Sequence, residues 1–297
     1  MNQSSEFLLR SLLFVPAHND RLLDSAARLN ADVLLLDLED SVQPVENKQI
    51  ARNKIIERVQ RGDFAKHHVF PRINDRESGH LLKDVTSLAI PGIAGFMYPK
   101  AKKGEDIYFI DKLLETIEFE KNLPIGTFKL IPLIETTGAV LNAQDICTAS
   151  KRVIAIAFGC EDFVSDLQGV HDAEGQSIFS ARAIIAMAAR ANNVAPIDTV
   201  HIKVHDLEDL EKNLILAKKL GYEGMLVLNP KELPLVHQYF SPSEQDVADA
   251  KEMLTLFEEA QLNNQGVAVK NGKFIGPPMV LGAKKVLEKH NRILQRI

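Results

Sequence analysis

The sequence predicts a (β/α)8 TIM barrel with a C-terminal hairpin-helix extension. Three observations carry this. Short apolar runs, each too brief for a helix, alternate with longer amphipathic stretches along nearly the whole chain. Eight such pairs fit into roughly 240 residues, which is the arithmetic of eight strand–helix units. The turn after the first run reads Pro16-Ala17-His18-Asn19-Asp20 and holds no glycine. A doubly wound open sheet, the structural rival, needs a Gly-rich phosphate turn there.

The apolar runs are residues 11–15, 33–36, 68–70, 95–98, 129–134, 153–158, 199–204 and 224–228. Their continuous Val, Ile, Leu and Phe content suits parallel strands buried on both faces. Helical periodicity falls between them. Leu207, Leu210, Leu214 and Ala217 recur at spacings of three and four, with Asp206 as N-cap and Gly221 as the stop. Val247, Ala250, Leu254 and Phe257 repeat the pattern behind Ser243, and residues 19–29 and 180–193 do likewise. The barrel is complete by Leu262, which sets the expected division: a barrel domain over 1–262 and an extension over 263–297. In the extension, Asn271-Gly272 between two short β-prone pieces signals a hairpin, and a helix follows over 280–294. The extension is expected to cover the barrel mouth or to reach a neighbouring subunit.

Composition narrows the function. Thirty-five basic residues against 40 acidic ones give a net charge of −5, which argues against a duplex nucleic-acid surface. No run approaches the ~20 apolar residues of a membrane span. The first nine residues include Glu6 and no apolar signal core. Two cysteines, Cys147 and Cys160, make no disulfide framework and fit a reducing compartment. A cytoplasmic protein with a small-molecule substrate is expected, without nucleic-acid or membrane partners.

Charged residues follow the apolar runs in consecutive units: Asp37, Arg72, Lys100, Glu135 and Asp162, spaced 27 to 35 residues apart. Strand C-terminal ends converge on one face of a barrel, so these five are expected to ring one pocket. Charges also simply mark where strands meet solvent, but burying them against apolar runs is costly unless they are paired or bind metal. Glu135 and Asp162 lie on adjacent units. With no Cys or His partner, two carboxylates suit a hard cation such as Mg²⁺, which takes one or two protein carboxylates and leaves room for water and substrate. A carboxylate dyad or an Arg-paired structural Glu would look the same in sequence. Arg72 is fitted to grip a substrate carboxylate in a two-pronged fashion. Lys100 is expected nearby as a second positive charge, a Schiff base being the less favoured role. Cys160 has no evident base partner. The histidines, His201 and His205 around run seven included, show no zinc spacing.

At these residues the chain resembles the citrate lyase β-subunit family of citryl-, malyl- and citramalyl-CoA lyases. The matching stretches include Arg10-Ser11-Leu12-Leu13-Phe14-Val15-Pro16, Leu36-Asp37-Leu38-Glu39-Asp40-Ser41-Val42, Arg72-Ile73-Asn74, Tyr98-Pro99-Lys100, Ile134-Glu135-Thr136, Phe158-Gly159-Cys160-Glu161-Asp162-Phe163, Ala181-Arg182 and Leu228-Asn229-Pro230. The resemblance covers about residues 10 to 295. It implies a TIM barrel and a Mg²⁺-dependent, reversible aldol-type cleavage of an acyl thioester to an acetyl thioester and a 2-oxo acid. It also implies a trimer, metal ligands at Glu135 and Asp162, and a substrate carboxylate bound by Arg72; by their position in the same ring Glu135, Lys100 and Asp37 are expected to bind substrate too. Two departures stand out besides Ala17 in place of the family's usual Gly. Gly276, in Gly272-Lys273-Phe274-Ile275-Gly276-Pro277-Pro278, stands where the family carries an Asp that moves a proton at the acetyl carbon. Asn229 stands where the family often has His. No carboxylate lies between Gly266 and Leu287. Two alternatives therefore stand beside the lyase: a non-catalytic oxo-acid-binding subunit, and an aldolase acting on free hydroxy-oxo acids.

Overall fold

The computed structural model describes residues 6–172, 174–203, 205–263, 266–270 and 273–296. The chain divides into two compact units, one up to Val236 and one from His237 onward. In the first unit eight parallel strands form one sheet: β1 (Ser11–Pro16), β2 (Val33–Asp37), β3 (His68–Val69), β4 (Gly95–Tyr98), β5 (Lys129–Ile134), β6 (Ala155–Phe158), β7 (Ala195–Asp198) and β8 (Gly224–Val227). Their order is β3-β2-β1-β8-β7-β6-β5-β4. Each strand neighbours its predecessor in sequence, and β1 meets β8, as in a barrel rather than an open doubly wound sheet. The two ends of this order, β3 and β4, are joined by backbone bonds from the Ala94 N–H to the Val69 carbonyl and from the Met97 N–H to the Pro71 carbonyl, both 2.9 Å. An isolated parallel bridge between Arg72 and Met97 adds to them. Pro71 has no N–H to give to a ladder, which accounts for the brevity of β3.

The strands carry continuous apolar side chains because both faces are covered. One set points inward: Leu12, Val33, Leu35, Met97, Ile131, Leu133, Ala157, Ile197 and Leu226 pack together as the barrel core. The expected helix caps are in place. Asn19 accepts from the Leu22 N–H ahead of Asp20–Arg28, and Asp206 accepts from the Asp209 N–H ahead of Leu207–Leu220, which ends at Gly221 in the left-handed region.

One strand is not where its apolar run put it. Residues 199–204 were expected to form strand seven, but β7 is Ala195–Asp198, paired to β6 through Ala155–Ala195 and to β8 through Asp198–Met225. Ala195-Pro196-Ile197-Asp198 reads poorly as a central strand because of its proline and its acid. Here the Pro196 carbonyl still accepts from the Glu223 N–H. Thr199 to Lys203 form a connection beyond the strand end.

The second unit begins before the extension expected over 263–297 and includes helix Glu244–Leu262, which packs on the final helix. Ser243 and Asp246 form the capping box that starts this helix. Strands β9 (Ala268–Lys270) and β10 (Lys273–Ile275) pair antiparallel. The expected turn at Asn271-Gly272 lies outside the described residues. The final helix is Pro277–Arg296. Phe257, Ala260, Ile275 and Val280 make a small core of their own. Gly276 is buried, and its carbonyl accepts from the Met279 and Val280 N–H groups, so it sits at the N-cap of the last helix.

Candidate active site at the strand ends

The charged residues stand at or just past the strand ends. Asp37 is the last residue of β2, Glu135 follows β5 directly, and Lys100 lies two residues past β4. Arg72 lies past β3 and bridges to both β2 and β4. Asp162 differs from the expectation. It does not end β6 but occupies the first turn of the short helix Cys160–Asp166.

Asp37 organises the loop that carries the acids. One of its oxygens accepts from the Glu39 N–H at 3.0 Å, and the other from the Ser41 N–H at 3.1 Å and the Ser41 hydroxyl at 2.5 Å. The same carboxylate takes Arg72 side-on, Nε at 2.6 Å and Nη2 at 2.8 Å. Arg72 Nη1 pairs with Glu39 at 2.9 Å, and the guanidinium lies over the Phe14 ring, 4.8 Å from its centroid. Asp37 therefore acts on the guanidinium. The edge of Arg72 left for a ligand is the Nη1/Nη2 edge, presently facing Glu39.

Glu39 was part of the acidic run read from sequence but had no role of its own. Its place just past the strand end, in the same acidic run as Asp37, was the available signal. It is buried and pairs with both Arg72 and Lys100 Nζ, the latter at 3.0 Å. Burial raises its pKa, against the pull of Arg72. Behind the loop stands Lys48, for which the sequence offered no signal. Its ammonium gives its three protons to the carbonyls of Leu38 (2.8 Å) and Glu39 (3.0 Å) and to Asn74 Oδ1 (2.6 Å). Asn74 is in turn held by Asp84, which pairs with Arg52.

Lys100 adopts a left-handed backbone, φ 54°. A non-glycine residue there costs about 1–3 kcal/mol and persists only where its surroundings hold it. The hold is visible: its N–H donates to Glu135 Oε1 at 2.5 Å while its side chain reaches Glu39 and Asp75. Although burial opposes it, pairing with Glu39 and Asp75 raises the amine's pKa. Lys100 is thus held as an ammonium, unsuited to a Schiff base.

Among the described residues Glu135 has no ion-pair partner. It is buried, and its pKa is pushed up to about 8, by burial first, then by the charge of Glu39; the Lys100 N–H opposes this and Asp162 adds to it. Gly159 makes the space it occupies. A Cβ at residue 159 would stand 2.9 Å from Glu135 Cβ and 3.1 Å from Oε2. Gly159→Ala is therefore expected to displace the carboxylate and weaken Mg²⁺ binding by about 10- to 100-fold, the range seen when a ligand loses its orientation. Calorimetric Mg²⁺ titration beside a thermal melt measures this. Unchanged affinity at unchanged stability would show that Glu135 does not hold the ion.

Two cavities meet at Glu135 and Asp162. One, of about 480 Å³, is lined by Phe14, Val200, Leu226, Leu228 and Pro230 among other apolar groups, with Asp37 and Arg72 in its wall. The other, of about 560 Å³, is lined by Asp75, Arg76, Lys100, Lys102 and Thr136. Glu135 and Asp162 belong to both. Their oxygen donors and excess negative charge fit a divalent cation of the Mg²⁺ type. Among the described residues no cluster of three or more His, Cys, Asp or Glu is arranged to hold a metal. Cys160 is buried with its thiol pushed up to about 12, by burial first, which makes it inert as a nucleophile.

Comparison with known proteins agrees with this arrangement of fold and charge. The family model described as HpcH/HpaI aldolase/citrate lyase matches residues 10–230. The citrate lyase subunit beta of Haemophilus influenzae is 33% identical over 282 residues, covering 95% of this chain and 97% of that protein. Among solved structures, CitE of Mycobacterium tuberculosis, in complex with magnesium, acetoacetate and coenzyme A, superposes with a TM-score of 0.72 at 25% identity. It covers 95% of this chain and 99% of that one. The citrate lyase beta subunit of M. tuberculosis complexed with oxaloacetate and magnesium gives 0.65 at 25% identity, covering 82% and 100%.

Proposed function

From membership of the HpcH/HpaI aldolase/citrate lyase family, to which the chain belongs, we infer that it is a Mg²⁺-dependent carbon–carbon lyase. It cleaves a 3-hydroxy-acyl thioester of the citryl-, citramalyl- or malyl-CoA type to an acetyl thioester and a 2-oxo acid. The observation that carries this is the meeting of an apolar and a charged cavity at Glu135 and Asp162, with Arg72 in the wall.

Glu135 and Asp162 hold the metal in this proposal; when bound, the ion supplies Lewis-acid polarisation at the oxo-acid half of the substrate. Arg72 takes the oxo-acid carboxylate on its Nη1/Nη2 edge, and Asp37 keeps the guanidinium from rotating out of that pose. Lys100 and Arg72 balance Glu39 so that the pocket does not carry three uncompensated carboxylates. The apolar wall of Val200, Leu226 and Leu228 keeps water from the acetyl carbon.

The test is direct. Purified protein with Mg²⁺ and each acyl-CoA should release acetyl-CoA and an oxo acid, and EDTA should stop it. Oxaloacetate binding without turnover would mean a non-catalytic binding subunit, a second reading favoured by the missing carboxylate at Gly276. Turnover of free hydroxy-oxo acids alone would mean an aldolase. Because a positioned acid or base contributes about 10²–10⁴-fold, Gly276→Asp is expected to raise thioester cleavage if this segment serves an active site. At this N-cap an Asp is also drawn to the helix N–H groups.

No described helix is long and apolar enough to cross a membrane. A cytoplasmic location and a homotrimer, with the C-terminal segment reaching a neighbour, go with the proposal. The free, buried Cys147 and Cys160 accord with a reducing compartment.

A further inference from the structure

His201 was uninformative in the sequence, and it lies beyond β7 rather than beside it. Its side chain is 2% exposed. Nε2 stands 3.1 Å from Asp209 Oδ2, and Nδ1 stands 3.5 Å from Glu232 Oε1. A neutral imidazole has one N–H and would turn a lone pair toward one of these carboxylates; an imidazolium turns an N–H toward each, in a hydrogen bond with Asp209 and a longer ion contact with Glu232. The two acids are not equivalent. Asp209, on the helix after β7, also pairs with Lys203 at 2.8 Å and accepts from Asn213 at 3.2 Å. Glu232, in the turn Pro230–Glu232 after β8, is fully buried; among the described residues its carboxylate accepts no hydrogen bond, and His201 is its one ion contact.

The ring thus ties the segment after β7 to the segment after β8. Each lines the apolar cavity: Val200 precedes His201, and Leu228 and Pro230 precede Glu232. We propose that His201 is a positioning residue, an imidazolium clamp between Asp209 and Glu232 that holds the apolar wall of the substrate cavity in place.

The charged groups facing the ring are Glu232 from the turn and Asp209 from the helix, with Lys203 and Asp206 behind Asp209. Burial disfavours the charged ring, but the two carboxylates outweigh it, so His201 titrates above its ordinary value. The clamp is then fully formed below about pH 6.5, the unfolded value. It is lost as pH rises through the raised folded value. Deprotonation leaves Glu232 buried without a cation, and the relief open to it is for the turn to swing toward water, taking Leu228 and Pro230 along. Substrate affinity should fall while the carboxylates at Glu135 and Asp162 stay in place, so KM should rise with little change in kcat.

Hydrogen exchange on the full chain tests the clamp without reference to catalysis. Peptides spanning 199–203 and 226–232 are followed from pH 6 to 9, with rates corrected for base catalysis of exchange. Wild-type protection should drop about tenfold over one pH unit as the ring loses its proton. The break should shift to lower pH in Glu232→Gln and vanish in His201→Gln. A wild-type profile with no break, or a break that survives in His201→Gln, overturns the proposal. The kinetic arm rests on the lyase activity proposed above: the ratio of wild-type to His201→Gln KM should change across the same pH range. Comparing the two proteins at each pH cancels the titration of Glu135, common to both. A flat ratio alongside broken protection would refute the link to the cavity wall. Absence of any thioester cleavage would count against the lyase, while the exchange profiles would still decide for or against the clamp.

Discussion

Glu135→Gln is expected to abolish Mg²⁺-dependent turnover and, at the same time, to stabilise the metal-free protein at alkaline pH. The first follows from its proposed place as a metal ligand, the second from a buried carboxyl pushed up to about 8 chiefly by desolvation, then by the neighbouring Glu39 charge. Removing one of the two proposed protein ligands should cost more than the 10- to 100-fold that loss of an outer partner costs in metal affinity, so a drop well beyond ~100-fold is expected. The stability effect has the opposite sign. Between the unfolded value of 4.5 and the folded value of about 8, the folded state holds a proton that the unfolded state has released. Metal-free stability therefore falls as pH rises through that window. Gln cannot ionise, so the variant should lose this dependence and overtake the wild type above pH 8. Urea denaturation in EDTA at pH 5, 7 and 9 and a Mg²⁺ titration at pH 8 measure the two. Equal Mg²⁺ affinity in variant and wild type would remove Glu135 from the metal site. Parallel pH profiles would show that its carboxyl is not destabilised by its surroundings.

The second large effect is at Arg72. Its side chain is 11% exposed, and its partners Asp37 and Glu39 are 2% and 6% exposed. Arg72→Met strands Asp37 and leaves Glu39 only Lys100, and breaking a buried pair in this way costs about 3–5 kcal/mol. Arg72→Lys keeps the charge and should recover much of that stability. It cannot keep both the side-on grip of Asp37 and a second edge for the ligand. A two-pronged charge-assisted contact is worth roughly 1.5–3 kcal/mol, so Mg²⁺-dependent oxaloacetate binding should weaken about 10- to 100-fold in Arg72→Lys. Denaturation and calorimetry on the two variants separate the roles. If Arg72→Lys binds oxaloacetate as the wild type does, the residue serves only to neutralise Asp37 and Glu39.

The alternation of apolar runs and amphipathic stretches was enough to give the barrel, because strand and helix periods are local properties of a chain. The same logic placed Asp37, Arg72, Lys100 and Glu135 at or near strand ends, since parallel strands of one barrel all finish on one face. It failed at β7, where Pro196 and Asp198 weaken the local pattern and pairing with Ala155 and Met225 overrides it. Pairing between charges is different in kind. Which acid Arg72 meets depends on contacts 35 residues away in sequence, and the brace of Lys48 on Asn74 and the clamp of His201 on Glu232 span 26 and 31 residues. Nothing local marks such partners. The sequence by itself determined the fold class and which charged residues gather at the barrel mouth. The tertiary structure alone decided that Asp37 and Glu39 engage Arg72, that Glu135 has no ion-pair partner among the described residues, and that His201 is held between two acids. Burial makes those pairings compulsory once the chain is folded, because a charge taken out of water must find its partner among whatever the fold brings near.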